Sequence, residues 1–98
     1  MKDIINIAKL FDTYGMLLSA KQARYIELYY FEDMSLAEIA NQYNISRAAI
    51  HDAIHVATKE ITRYEAALMI VSKRDQRVAL YEKYETNPLV VELKKIDK

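Results

Sequence analysis

The 98-residue sequence has no cysteine, one glycine (Gly15) and one proline (Pro88). Without cysteine, disulfides and thiol catalysis are excluded, and the redox state of the compartment leaves no mark on the chain. With one glycine there is no Gly-rich phosphate loop. Glycine and proline punctuate most folds. Here almost nothing interrupts the chain between positions 15 and 88, so an all-helical protein is expected. No apolar run is long enough to span a bilayer, and the opening Met-Lys-Asp-Ile lacks the shape of a signal peptide. A cytoplasmic protein without membrane contact is expected. Net charge is missing too, because fourteen basic residues cancel fourteen acidic ones. Nucleic-acid binders usually carry a basic excess, so any phosphate contacts must come from a few local cations.

What is present is a hydrophobic fraction of 52%, enough for a real core. The length suits a single domain over residues 1–98. The chain is organised around Met34 to His55. Ser35 and Glu38 form a capping box, and Met34 with Ile39 forms a hydrophobic staple around it. Leu36, Ile39, Ala40 and Tyr43 then share one helical face. Asn44 falls where the chain must turn left-handed, which asparagine tolerates better than any residue but glycine. Ser46 caps the next helix, with Ile45 and Ile50 as a second staple. Ile50 and Ile54 point back to the core. Arg47, Ala48, His51, Asp52 and His55 point outward, with Lys59 one turn further along. Any helical bundle contains capped helices. The joint spacing of Ala40, Asn44, Ile45, Ile50 and Ile54 is more selective, and it spells a helix-turn-helix whose outward residues enter a groove.

Asp3 caps a first helix from about Ile4 to Tyr14, with Ile4, Ile7, Ala8, Phe11 and Tyr14 as its apolar stripe. Gly15 ends or loosens that helix. Ser19 and Gln22 make another capping box, which opens a second helix from about Ala20 to Phe31. Its Ala23, Ile26, Tyr29 and Tyr30 face the first helix and the motif, and Glu32 with Asp33 makes a short turn.

The helix opened by Ser46 has no obvious stop. Ile50, Ile54, Ala57, Ile61, Tyr64, Leu68 and Val71 form a heptad-like seam, which fails at Asp75. Unbroken to Glu85, the helix would be roughly 60 Å long, beyond a compact domain of this size with its radius of gyration near ~13 Å. Either it breaks near Ser72, with Ser72 as cap, or it projects and pairs with a second copy. Both leave an exposed apolar stripe that favours a homodimer. Residues 1–65 therefore read as a helix-turn-helix bundle and 66–98 as a C-terminal helical extension. Lys73, Arg74 and Arg77 lie in the most basic stretch, either a solvated face or a secondary basic patch. Asn87 caps and Pro88 opens a last helix to about Ile96, and Lys94, Lys95 and Lys98 form a frayed polar end.

His51, Asp52 and His55 superficially match a zinc-protease pattern. No third ligand stands at a recognisable spacing, and a catalytic zinc needs three. No metal or cofactor is expected. Imidazole donating to phosphate or base edges fits better and would make binding pH-dependent. Eight tyrosines and two phenylalanines invite base stacking. Most lie at helical spacings beside apolar residues, so core packing is their expected use. Tyr81 and Tyr84, beside basic residues, are more open candidates. No nucleophile–base pairing is visible, and no enzyme is expected.

The run Leu18-Ser-Ala-Lys-Gln through Ser35-Leu-Ala-Glu-Ile-Ala and Ser46-Arg47 to Tyr64 resembles sigma factor region 4. More closely, it resembles the YlxM-like family of small bacterial helix-turn-helix proteins. Leu10-Phe11-Asp12, Leu17-Leu18, Gln22 and Glu27-Leu28-Tyr29-Tyr30 match that family's pattern as well. The resemblance implies an all-α fold of sigma-region-4-like topology, a long helix after the motif and a dimer. Family members are typically encoded beside the signal recognition particle GTPase and its receptor, which implies a regulatory or accessory role in that pathway. The implied partners are nucleic acid, either DNA or the particle's RNA, and the GTPase itself. No catalytic residues carry over. The chain departs from the pattern at His55 and Val56, where relatives tend to be basic. A protein-interaction module and a DNA-binding transcriptional regulator are the alternative readings.

Overall fold

The computed structural model describes residues 3–97. Six α-helices follow one another: α1 (Ile4–Tyr14), α2 (Ala20–Ile26), α3 (Leu36–Tyr43), α4 (Arg47–Leu68), α5 (Ile70–Lys83) and α6 (Pro88–Ile96). No strand occurs among the described residues. The expected caps are in place. Asp3 accepts from the Asn6 amide, and Ser19 with Gln22 forms its capping box in both directions.

Helix α1 ends at Tyr14 with Gly15 as its C-cap, and a short 3-10 turn, Gly15–Leu17, follows with the Gly15 φ still helical at −57°. A Cβ at Gly15 would stand 3.1 Å from the Phe11 ring, which would have to shift by a few tenths of an ångström. The second helix departs from expectation. After Ile26 it widens into a π-helical segment, Glu27–Phe31, closed by the Glu32 amide on the Glu27 carbonyl at 2.9 Å. Asp33 then turns left-handed, with φ 55°.

Two buried clusters make the core. Ile7, Leu10, Tyr14, Leu18, Ile26, Ala57 and Ile61 form one. Tyr25, Leu28, Ile39, Ala40, Ile50 and Ile54 form the other, beneath the motif. Both α2 and α4 contribute to both clusters, so α2 is buried on two faces and α4 along one stripe. The stripe of α1 is shifted from the expected one: Leu10 is buried, whereas Ile4 is 48% exposed.

Helix α4 does break, but at Met69 and not at Ser72. Met69 is left-handed, with φ 55° and ψ 29°. Such a backbone costs a residue with a Cβ about 1–2 kcal/mol. Ser72 lies inside α5, whose first amides are instead capped by Glu65. The Val71 and Ser72 amides donate to its two carboxylate oxygens at 3.0 and 2.9 Å. The Tyr14 hydroxyl donates to the same carboxylate at 2.6 Å. Partial burial pushes the Glu65 pKa up, but the hydrogen bonds from Tyr14, Ser72 and Val71 outweigh it and hold the carboxyl below its ordinary value. The contact is therefore fully present above the ordinary carboxylate range and is lost as pH falls below it.

Beyond this joint the chain extends. The extents are 55 × 24 × 22 Å and the radius of gyration is 17.1 Å, against ~13 Å for a compact domain of this length. Tyr81 and Val90 are the buried residues of α5 and α6. Leu80, Tyr84, Leu89, Val91, Leu93 and Ile96 remain exposed. Lys94 and Lys95 are not frayed. They sit in the last turn of α6, where cations suit the helix dipole, and Lys95 pairs with Glu92 at 3.1 Å. Lys98 lies outside the described residues.

The second staple is only half formed, since Ile50 is fully buried and Ile45 is 43% exposed. Ile50→Ala should therefore cost about 2–5 kcal/mol in a denaturant titration, and Ile45→Ala within about 0.5 kcal/mol of nothing. Comparable losses would restore the staple.

Candidate nucleic-acid interface

The motif is built from its caps. The Ser35 hydroxyl accepts from the Glu38 amide and the Glu38 side chain accepts from the Ser35 amide, both at 3.1 Å. This fixes the start of α3. Ile39 and Ala40 turn inward, and the small Ala40 side chain admits α4 at close range. Asn44 is left-handed, with φ 54° and ψ 45°. The Ile45 amide reaches back to the Ala40 carbonyl at 3.1 Å, the closing bond of a Schellman-type stop. Ser46 then accepts from the Ala49 amide at 3.0 Å and opens α4. Three residues thus separate the two helices, the spacing of a helix-turn-helix.

The buried stripe of α4 turns its other side to solvent. Arg47, Ala48, His51, Asp52, His55 and Lys59 are all exposed there. The His51 and His55 rings lie one turn apart and nearly parallel, with centroids 6.2 Å apart and planes 4° apart. Asp52 Oδ1 stands 3.3 Å from His51 Nδ1. Among the described residues Arg47, Lys59 and the exposed Arg63 make no ion pair, so their charges are available. Arg63, one turn beyond Lys59, extends this line of cations beyond the six residues the sequence suggested. Arg24 is different: Glu27 and Glu32 hold its guanidinium at 3.0 and 2.8 Å and raise its pKa.

A cleft of about 150 Å³ opens where α4 meets the end of the second helix, lined by Tyr29, Tyr30, Leu36, His51, Ile54, His55 and Thr58. The two histidines therefore stand at its edge as well as on the outward face. Helical periodicity could not have revealed the cleft, because it depends on the π segment. Among the described residues no group of three His, Cys, Asp or Glu side chains could hold a metal ion.

The basic residues of α5 differ in their partners. Lys73 and Arg74 are exposed. Arg77 is tied to Asp97 at 2.9 Å. The Tyr81 hydroxyl donates to the same Asp97 oxygen. Tyr81 and Arg77 together depress the Asp97 pKa, and the carboxylate in turn raises that of Tyr81. Tyr81 is thus a buried structural residue and no open stacking platform, whereas Tyr84 is half exposed.

Two capped helices joined by a left-handed three-residue turn, inside an all-α bundle with an outward helix face, define a helix-turn-helix protein. Comparison with known proteins places it more narrowly: the chain belongs to the UPF0122 family. The family's profile, described as "Putative helix-turn-helix protein, YlxM / p13 like", matches residues 1–98. A UPF0122 protein of Desulforamulus reducens is 50% identical over 76 residues, covering 78% of this chain and 65% of that protein. This stretch spans just under two thirds of that relative. A UPF0122 protein of Symbiobacterium thermophilum is 43% identical over 82 residues, covering 84% of this chain and 77% of its own. One from Ureaplasma parvum is 40% identical over 87 residues, covering 89% and 88%. The resemblance read from the sequence is thereby confirmed at the level of the family. No helix among the described residues is long and apolar enough to cross a membrane.

If Asn44 is needed for its backbone, Asn44→Ala should lower stability by about 1–2 kcal/mol, while Asn44→Gly should stay near the parent in thermal melts. Equal losses would show that the asparagine side chain holds the turn.

Proposed function

We propose that this protein is a nucleic-acid-binding accessory or regulatory protein that uses α4 as its groove-facing helix and acts as a homodimer. The observation that carries the reading is the set of cations Arg47, Lys59 and Arg63, which make no ion pair among the described residues, along the exposed face of a complete motif. Arg47, at the first helical position, contacts a phosphate or a guanine edge. His51 and His55 add hydrogen-bonding groups to the same face. The setting in the signal recognition particle pathway, with the particle's RNA as ligand, rests on the gene neighbourhood implied by the family resemblance. Neither a catalytic group nor a cofactor enters the reading.

The test is an anisotropy titration of labelled signal recognition particle RNA and a DNA duplex of equal length, at low and moderate salt. Arg47→Ala should weaken binding to the preferred ligand about tenfold and reduce the salt slope by about one. An unchanged affinity would remove α4 from the mechanism. Preference for duplex DNA would redirect the reading to a transcriptional regulator. Absence of binding at low salt would favour a protein-interaction module, with the GTPase as first partner to test.

The homodimer is supported by surface area. The chain exposes 7104 Å², where a compact chain of this mass exposes roughly 5,800 Å². The excess exceeds the roughly 800 Å² that each partner contributes to a stable interface. It includes an apolar groove of about 380 Å³ between α5 and α6, lined by Leu80, Tyr84, Leu89 and Leu93. A second copy of this face would cover it. Sedimentation equilibrium should return the mass of two chains for the parent and of one for Leu93→Glu. A single-chain mass for the parent would rule the dimer out.

A further inference from the structure

The joint between α4 and α5 has no breaker in its sequence. Residues 66–71 read Ala-Ala-Leu-Met-Ile-Val, without glycine, proline or asparagine. Alanine, leucine and methionine are good helix formers, and the heptad-like seam runs across the joint through Leu68 to Val71. Met69 nevertheless sits in the left-handed region, with φ 55° and ψ 29°. Local preference and observed backbone disagree, so what bends the chain lies outside the segment.

The bend is held by contacts from α1 and by one side chain of α4. The Tyr14 hydroxyl donates to Glu65 at 2.6 Å and accepts from the Ile70 amide at 3.3 Å. Glu65 accepts the Val71 and Ser72 amides at 3.0 and 2.9 Å. Val71 packs against the cluster containing Tyr14, and Lys9 pairs with Asp75 at 3.3 Å across exposed surface. These contacts all fall within the first six residues of α5. In a straight helix the same three amides, of Ile70, Val71 and Ser72, would bond the carbonyls of Ala66, Ala67 and Leu68. Every donor at the joint therefore has a partner in either arrangement, and the carbonyls that the bend leaves open belong to the exposed residues Ala66, Ala67 and Leu68. Glu65 is half-buried, and the Tyr14 hydroxyl, buried while Val71 packs over it, would be opened to water as α5 leaves.

We propose that this joint is a two-state hinge with the Glu65 carboxylate as its latch. With the latch engaged, α5 folds back against α1. With it released, Met69 returns to the right-handed region and α4 and α5 merge into one helix over residues 47–83. That helix is roughly 55 Å long, and the arm carrying α6 swings away from the bundle. The hinge concerns the direction of the arm and does not depend on what the motif binds.

The natural absence of cysteine makes the test direct. Val56→Cys and Glu82→Cys, both exposed positions, carry spin labels on the full chain, diluted with unlabelled protein so that distances within one chain dominate. In a straight helix the two backbones would be roughly 39 Å apart, and in the bent form they are closer. Electron–electron double resonance on the parent should give mainly the shorter distance. Glu65→Gln, whose amide cannot accept both backbone donors as the carboxylate does, should shift population to the longer one, and Tyr14→Phe should do so in part. Adding Met69→Gly to Glu65→Gln should recover the shorter distance, because glycine accepts the left-handed backbone. An unchanged short distance in Glu65→Gln would overturn the hinge. So would a broad distribution with loss of helical circular dichroism, since α5 would then only fray on release.

Discussion

One buried stripe on α4 holds the molecule together. Ile50 and Ile54 close the cluster beneath the motif, and Ala57 and Ile61 close the cluster beneath α1. Because the two clusters share this helix, the orientation of the motif is fixed by the same contacts that fix α1 and α2. The outward face of α4 follows from that stripe by geometry alone: whatever is not on the seam faces away from two cores at once. The residues free to contact a ligand were thus decided by where four apolar side chains had to go.

Much of this was legible in the sequence. Short-range signals worked best, since Asp3, Ser19, Ser35, Ser46 and Asn87 each cap the helix expected of them. A cap needs only its own side chain and an amide two or three residues on, so nothing distant can overrule it. Asn44 was readable for the same reason. Features that depend on distant partners were misread or missed. The break at Met69 rests on Tyr14, more than fifty positions away, and on a carboxylate that in sequence looks like one more surface charge. Tyr81 reads as an open aromatic beside cations until Asp97 is brought to it. Leu10 and Ile4 exchange roles because α1 lies chiefly against α4, with Leu10 in the cluster of Ala57 and Ile61, a neighbour that the periodicity of α1 does not encode.

The outward face was identified as a set, but its electrostatics could not be read from a count of charges. From Ser35 to Arg63, Arg47, Lys59 and Arg63 are matched in number by Glu38, Asp52 and Glu60, which suggests cancellation. In space, Asp52 turns to His51 while Arg47, Lys59 and Arg63 keep no partner among the described residues. A count of charges does not tell which cations are held in ion pairs and which can turn to a polyanion. The apolar side chains of α6 make the opposite point. They look like an ordinary amphipathic helix in sequence, and only their exposure, with no helix but α5 beside them among the described residues, makes them conspicuous.

The π-helical segment bears on how this chain can vary by insertion and deletion. Its bonds join residues five apart, so Phe31 comes round beneath Ile26 and meets Phe11 at a ring separation of 5.5 Å. Removing one residue between positions 27 and 31 would let the helix close in ordinary α geometry while keeping its length in turns almost unchanged. With the turns unchanged, Phe31 would still face Phe11 and the entry to α3 would keep its orientation, whereas a residue removed from an ordinary helix rotates everything after it by about 100°. This short stretch can therefore give up a residue where the rest of the helix cannot. A relative lacking one residue there would still present its recognition helix as this chain does.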